Sequence, residues 1–462
     1  MATVTAAAGG PPALSRDNSN CEGASANEST ASTACSSGSR SPQQRGAAAE
    51  DAARMPPTAS LALILYSTLL AGINLVIVIP TADDYAHRLG GDRLFGGLMI
   101  GSLPFCAPIG IVMNQWLMRR ISFKSVLLVL AVGTVLANLL YAFAGLMHFK
   151  WTLLAARCLS GLFNGFNLPS MYISLTVGMQ RRSEAILYFS ALNTLGFAVG
   201  PALAAVLDVL IKESIHINNL VLDVDTVPGW FMATVYLLFM VKVVLLFEDL
   251  PMEQTAPRPR AKSTSSERLP IGASCAAFWY LCMSGSVITC IEVYIVNVGQ
   301  QYWGWSVARS GLHLAGLMLC SGLCNLAMGR LTQRFMRSDR AGLLGASLLS
   351  CASCALLFHF DLHTLVAEES VLGTGVVLVL IMAGLIRGFA LAVSSKLVPA
   401  YMKASMNTWA TMFMTAGRGA GGIIGAVLQP NSFFPTMLGL FVATLLVSFA
   451  SHGHMKPSKE AN

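Results

Sequence analysis

VLGTGVVLVLIMAGLIRGFALAVSSKLV, residues 371–398, is an apolar run with one arginine, Arg387, near its middle. A bilayer's hydrocarbon core is about 30 Å thick, and about 20 helical residues cross it. This run is long enough, so it reads as a transmembrane helix carrying a charge at depth. Such a charge costs about 2.5–3.5 kcal/mol on insertion scales and therefore normally faces a partner or a watery cavity. Comparable runs occupy residues 59–80, 94–117, 125–147, 151–178, 185–210 and 229–247, and then 272–296, 308–329, 341–360, 408–428 and 434–451. The whole chain of 462 residues is 54% hydrophobic and 11% charged. Soluble domains carry about a quarter charged residues and cannot hide this much apolar surface.

The polar residues between the runs orient them. Arg119, Arg120, Lys124, Arg181, Arg182, Arg258, Arg260, Lys262, Arg268, Arg330, Arg334, Arg337, Arg340, Lys396, Lys403, Lys456 and Lys459 fall in alternate loops. The opposite loops hold only Arg88, Arg93, Lys150, Lys212 and Arg309, among many acidic residues. The positive-inside rule places both termini in the cytosol, which requires an even number of spans. It also accounts for the formal charge of +7 without nucleic acid, since the basic residues form no face or stripe.

There is an internal echo. Met113–Arg119 and Met328–Arg334 both run from a second-position span into a basic loop, and Arg157 and Arg387 sit in the fourth span of each half. The expected fold is an all-α membrane protein of twelve transmembrane helices in two six-helix pseudo-repeats. A disordered cytosolic tail (1–57, rich in Ala, Ser, Gly and Pro) precedes an N-terminal bundle (58–247). A cytosolic linker (248–271), a C-terminal bundle (272–451) and a cytosolic tail (452–462) follow.

Four ionisable residues lie within spans: Arg157, Glu292, Arg387 and Arg418. In a fold of this kind the first, fourth, seventh and tenth spans line the path. The arginines would make a central cavity electropositive and suited to an anion, because the planar guanidinium matches phosphate and carboxylate. Asn74, Asn164, Asn167 and Tyr172 are further candidate solute contacts. Glu292 is the candidate proton-coupling residue; a salt bridge to an arginine across the bundle is an equally open reading. Gly196-x-x-x-Gly200-Pro201 has the spacing of a close helix-packing or gating surface. The sequence has no GxxxxGK phosphate loop, no paired His/Glu metal motif and no nucleophile elbow, so neither an enzyme nor a cofactor or metal site is expected. The eleven cysteines lie almost entirely inside apolar runs and read as small hydrophobes.

Leu153-x-x-x-Arg157-x-x-x-Gly161 and Gly196-x-x-x-Gly200-Pro201 resemble motifs of the major facilitator superfamily. The loop after the second span departs from that pattern, with Asn114 standing where an acidic residue is usual, as Gln333 does at the matching place in the second half. Pro80-Thr81-Ala82-Asp83-Asp84-Tyr85, Asn138-Leu139-Leu140-Tyr141-Ala142, Tyr172-Ile173-Ser174, Pro228-Gly229-Trp230 and Gly304-Trp305-Ser306 are similar to the SPX-MFS vacuolar phosphate transporters. Lysosomal facilitators of the ceroid-lipofuscinosis type are more distantly similar. The family's SPX domain has no counterpart in residues 1–57, and Ser170 and Met171 stand where the family carries an arginine pair. The resemblance implies an endomembrane transporter of vacuole- or lysosome-like location, with phosphate a candidate solute. The expected function is secondary active transport of a small anion by alternating access, with the lipid bilayer and a small solute as partners. A passive anion channel and a non-transporting receptor or scaffold are the alternatives.

Overall fold

The computed structural model describes residues 55–178, 181–211, 215–217, 220–250, 271–335, 339–358, 365–398 and 402–453. The expected N-terminal tail, the linker and the C-terminal tail lie almost wholly outside these residues. The helices are α1 (Thr58–Val76), α2 (Ala82–Arg88), α3 (Arg93–Leu117), α4 (Phe123–Met147), α5 (Lys150–Leu162), α6 (Leu168–Thr176), α7 (Arg182–Leu210) and α8 (Val227–Leu246). The second half contains α9 (Ile271–Gln301), α10 (Val307–Phe335), α11 (Asp339–Ser353), α12 (Leu365–Leu397), α13 (Lys403–Val427) and α14 (Pro430–Ser451). A two-stranded hairpin, β1 (Ile215–Ile217) and β2 (Leu220–Leu222), joins α7 to α8.

Among the described residues, ten helices are long and apolar enough to cross a membrane, α1 counted together with α2. The other two crossings are the interrupted pair α5/α6 and the glycine-rich α13. Contacts repeat between the halves: α1 packs on α7 as α9 packs on α13, α4 on α8 as α11 on α14, and α3 on α5 as α10 on α12. The halves meet along α3/α13 and α7/α10, two seams that the same repeat interchanges. Below, the terminal side is the one holding the start of α1 and the end of α14, and the far side is the opposite one.

Two spans differ from the sequence reading. The fourth, expected as one helix over 151–178, is broken at Phe163–Asn167. Pro169 has no N–H to give to the carbonyl of Gly165, and its ring excludes a helical path there. The freed backbone finds side chains instead: Thr134 donates to the Phe163 carbonyl at 3.4 Å and Asn114 to that of Asn164 at 3.5 Å. The first span ends as an α-helix at Val76, and a 3-10 turn containing Pro80 leads into α2.

The α9/α13 contact is a glycine seam. A Cβ added at Gly417, Gly421 or Gly425 would lie 1.9, 2.1 or 2.4 Å from the carbonyl oxygen of Cys282, Ser286 or Cys290. Backbone cannot yield as a flexible side chain does, so only glycine allows this approach. Gly421→Ala is expected to force the helices apart and cost about 1–3 kcal/mol. Gly439→Ala, where a Cβ meets nothing within 4 Å, should be neutral or stabilising by up to about 1 kcal/mol. Thermal unfolding of the purified protein in detergent separates the two.

Candidate functional site

The glycine seam sets the position of Arg418. At Gly285 of α9, a Cβ would lie 2.4 Å from the Met414 carbonyl and 3.4 Å from Cγ of Arg418. The close approach puts the Arg418 guanidinium beside Glu292, two turns further along α9. Arg418 Nη2 donates to both carboxylate oxygens of Glu292, at 2.9 and 2.8 Å. Both side chains are buried, at 4% and 1% exposure. The Arg418 Cζ lies 4.4 Å from the ring centroid of Phe197, from α7 in the opposite half. Phe197 follows Gly196, which packs against Gly72 of α1. The pair itself lies in the second half, and the Phe197 contact ties it to the first. It also realises the salt-bridge reading of Glu292 in this conformation, so Arg418 is not a free cation here.

Arg157 has a different task. Its Nη1 donates to the Asn74 carbonyl at 3.0 Å and its Nη2 to the Leu75 carbonyl at 2.9 Å. These carbonyls belong to the last turn of α1, where a helix has no backbone donors left to offer them. Buried at 2% exposure, Arg157 caps α1 from α5. Arg157→Ala is expected to leave two buried carbonyls unpaired and to cost about 1–3 kcal/mol of stability, seen as a lowered unfolding temperature with or without solute.

Arg387 is the exception. It is partly exposed at mid-span in α12, and among the described residues no hydrogen bond or ion pair holds it. It lies within electrostatic reach of Arg418 and Glu292. The asparagines are buried. Asn167 accepts from Asn114 at 3.1 Å, while the side-chain amides of Asn74 and Asn164 have no hydrogen-bond partner among the described residues. Tyr172 is enclosed between Phe123 and Phe247, at ring-centroid distances of 5.4 and 5.8 Å. Gly200 lies against Val76 and Ile73 of α1, and the Pro201 carbonyl faces Gly311 of α10. The structure thus gathers Glu292, Arg387 and Arg418 at one place, with Arg157 and Asn74 in a second cluster and Tyr172 in an aromatic packing group. No group of three or more metal-ligating side chains occurs among the described residues.

Sequence reading passed over the far-side cluster after α2, because its members lie far apart in the chain. Arg88 pairs with Asp223 and, at 3.1 Å, with Asp225. Burial pushes the Asp225 carboxyl up to about 7; Arg88 opposes the shift, and Asp223 and Asp84 add to it. An unfolded aspartate releases its proton near 3.8. Between these values the folded chain keeps a proton that the unfolded chain has lost, so stability falls as pH rises through that window. Asp225→Asn should flatten this dependence and raise stability at neutral pH, as measured by unfolding temperature across a pH series.

The family model for the Major Facilitator Superfamily matches residues 64–425. The chain belongs to the major facilitator superfamily. It is thus a multi-pass integral membrane protein, in a superfamily of transporters and not of enzymes. An SPX domain-containing membrane protein of Arabidopsis thaliana is 25% identical over 84% of this chain and 61% of its own length. An uncharacterized MFS-type transporter of Schizosaccharomyces pombe is 28% identical over 48% of this chain and 45% of its own. The chain therefore spans less than two thirds of either relative. The human organic anion transporter MFSD10 (TETRAN) has the same superfamily fold, with a TM-score of 0.59, 19% identity and coverage of 85% of this chain and 100% of that one.

Proposed function

We propose that the protein is a secondary transporter of a small anion, working by alternating access, with Arg387 as the solute-facing charge. The observation that carries this reading is the contrast among the three arginines. Arg157 and Arg418 are compensated by carbonyls and by Glu292, whereas Arg387 stands at membrane depth with no hydrogen-bond or ion-pair partner among the described residues. An uncompensated charge there needs water or a counter-ion, and an anionic solute supplies the second. Phosphate and carboxylates both fit a planar guanidinium. Glu292 is the proton-coupling group of this scheme. When protonated it releases Arg418, which then joins Arg387 around the anion; when ionised it takes Arg418 back. The vacuolar or lysosomal membrane, with both termini in the cytosol, is the proposed location, supported by the SPX-type relatives and the loop charges.

The test is solute-dependent thermal stabilisation of the purified protein. At 100 times its Kd a ligand adds about 2.7 kcal/mol. Phosphate, sulfate or a small carboxylate is expected to raise the unfolding temperature, and Arg387→Ala should abolish the rise. Neutral sugars should do nothing. Stabilisation by sugars alone would overturn the anion assignment. The burial of Arg157 and Arg418 also favours a second reading, a non-transporting scaffold, which predicts no stabilisation by any solute.

A further inference from the structure

The far-side ends of the two halves are tied by hydrogen bonds between them. Helix α10 begins at Val307, and its first N–H groups have no partner within the helix. Its own Ser306 hydroxyl accepts from the Arg309 N–H at 3.2 Å. The Ala308 N–H is taken at 2.8 Å by a carboxylate oxygen of Asp208, near the end of α7 in the opposite half. An acidic group at a helix N-terminus is also favoured by the helix dipole. Two glutamines at the end of α9 reach the same way. Gln300 Nε2 donates to the Pro80 carbonyl at 2.8 Å and Gln301 Nε2 to Asp83 at 3.1 Å. Gly311, one turn inside α10, lets the Pro201 carbonyl of α7 approach: an added Cβ would lie 2.7 Å from it.

At the terminal side the start of α7 has exposed apolar side chains. Ile186, Leu187 and Tyr188 of α7 are consecutive and 49%, 46% and 48% exposed. Three consecutive helical positions sweep more than half of the circumference, so this end of α7 is not gripped from most directions.

We propose that Asp208, Gln300 and Gln301 form the far-side gate, with Asp208 acting as a removable cap on α10 supplied by the other half. The chemistry suits a reversible closure. Each bond pairs a polar group with backbone or side chain at the membrane boundary, where water replaces it on opening. The gate rests on the alternating-access reading but not on the identity of the solute.

Hydrogen–deuterium exchange of the full chain in lipid nanodiscs, without solute, tests it. Asp208→Ala is expected to speed exchange about tenfold both in the first turn of α10 and across the gap at residues 77–85. Exchange at residues 186–195 of α7 should slow at the same time, as that end closes. Gln301→Ala, at an exposed position, should give the same pattern at smaller amplitude and serves if Asp208→Ala fails to fold. Faster exchange confined to the first turn of α10, with 77–85 and 186–195 unchanged, would show a local cap and overturn the gate. Because no solute enters the measurement, a failed anion assignment leaves its outcome intact.

Discussion

Arg418→Ala is expected to destabilise the protein by about 3–5 kcal/mol, the cost of stripping one partner from a buried ion pair. The reason lies in Glu292. At 1% exposure its carboxylate has no water to turn to, and both its oxygens take their hydrogen bonds from Arg418 Nη2. Removing the arginine also removes the cation over Phe197, a contact between the halves. The companion double variant decides the interpretation. Glu292→Ala with Arg418→Ala leaves no orphan charge and should unfold at a higher temperature than Arg418→Ala alone, because effects within one ion pair do not add. If the double variant is less stable than either single one, the pair is not the unit described here.

The spans were legible because crossing a bilayer is a one-dimensional requirement: enough consecutive apolar residues, with basic loops on one side. The repeat was legible for the same reason, since Arg157 and Arg387 recur at matching positions. What the sequence left open is three-dimensional. Glu292 and Arg418 are 126 residues apart, and nothing along the chain says which arginine the glutamate meets. The capping role of Arg157 depends on α1 ending at Val76, inside an apolar run that continues past it, so hydropathy hides the free carbonyls. The break at Phe163–Asn167 is hidden likewise, because a membrane helix can carry a proline as a mere kink. The Gly196 and Gly200 spacing did announce a close contact, but not that α1 would be the helix on the other side.

These placements give the three arginines separate duties: Arg157 ends a helix, Arg418 balances Glu292, and Arg387 has no hydrogen-bond or ion-pair partner among the described residues. In a membrane an unpaired cation is retained only where something uses it. The measurement that tests this most directly is uptake of a radiolabelled anion into vesicles reconstituted with the full chain, for wild type and Arg387→Ala, beside the unfolding temperature of each. The solute is whichever anion stabilises the wild type. Arg387→Ala is predicted to lose uptake by about 100-fold or more, in line with about 3 kcal/mol for a lost charge-assisted contact, while unfolding at or above the wild-type temperature. Full uptake by a well-folded Arg387→Ala protein would contradict the account.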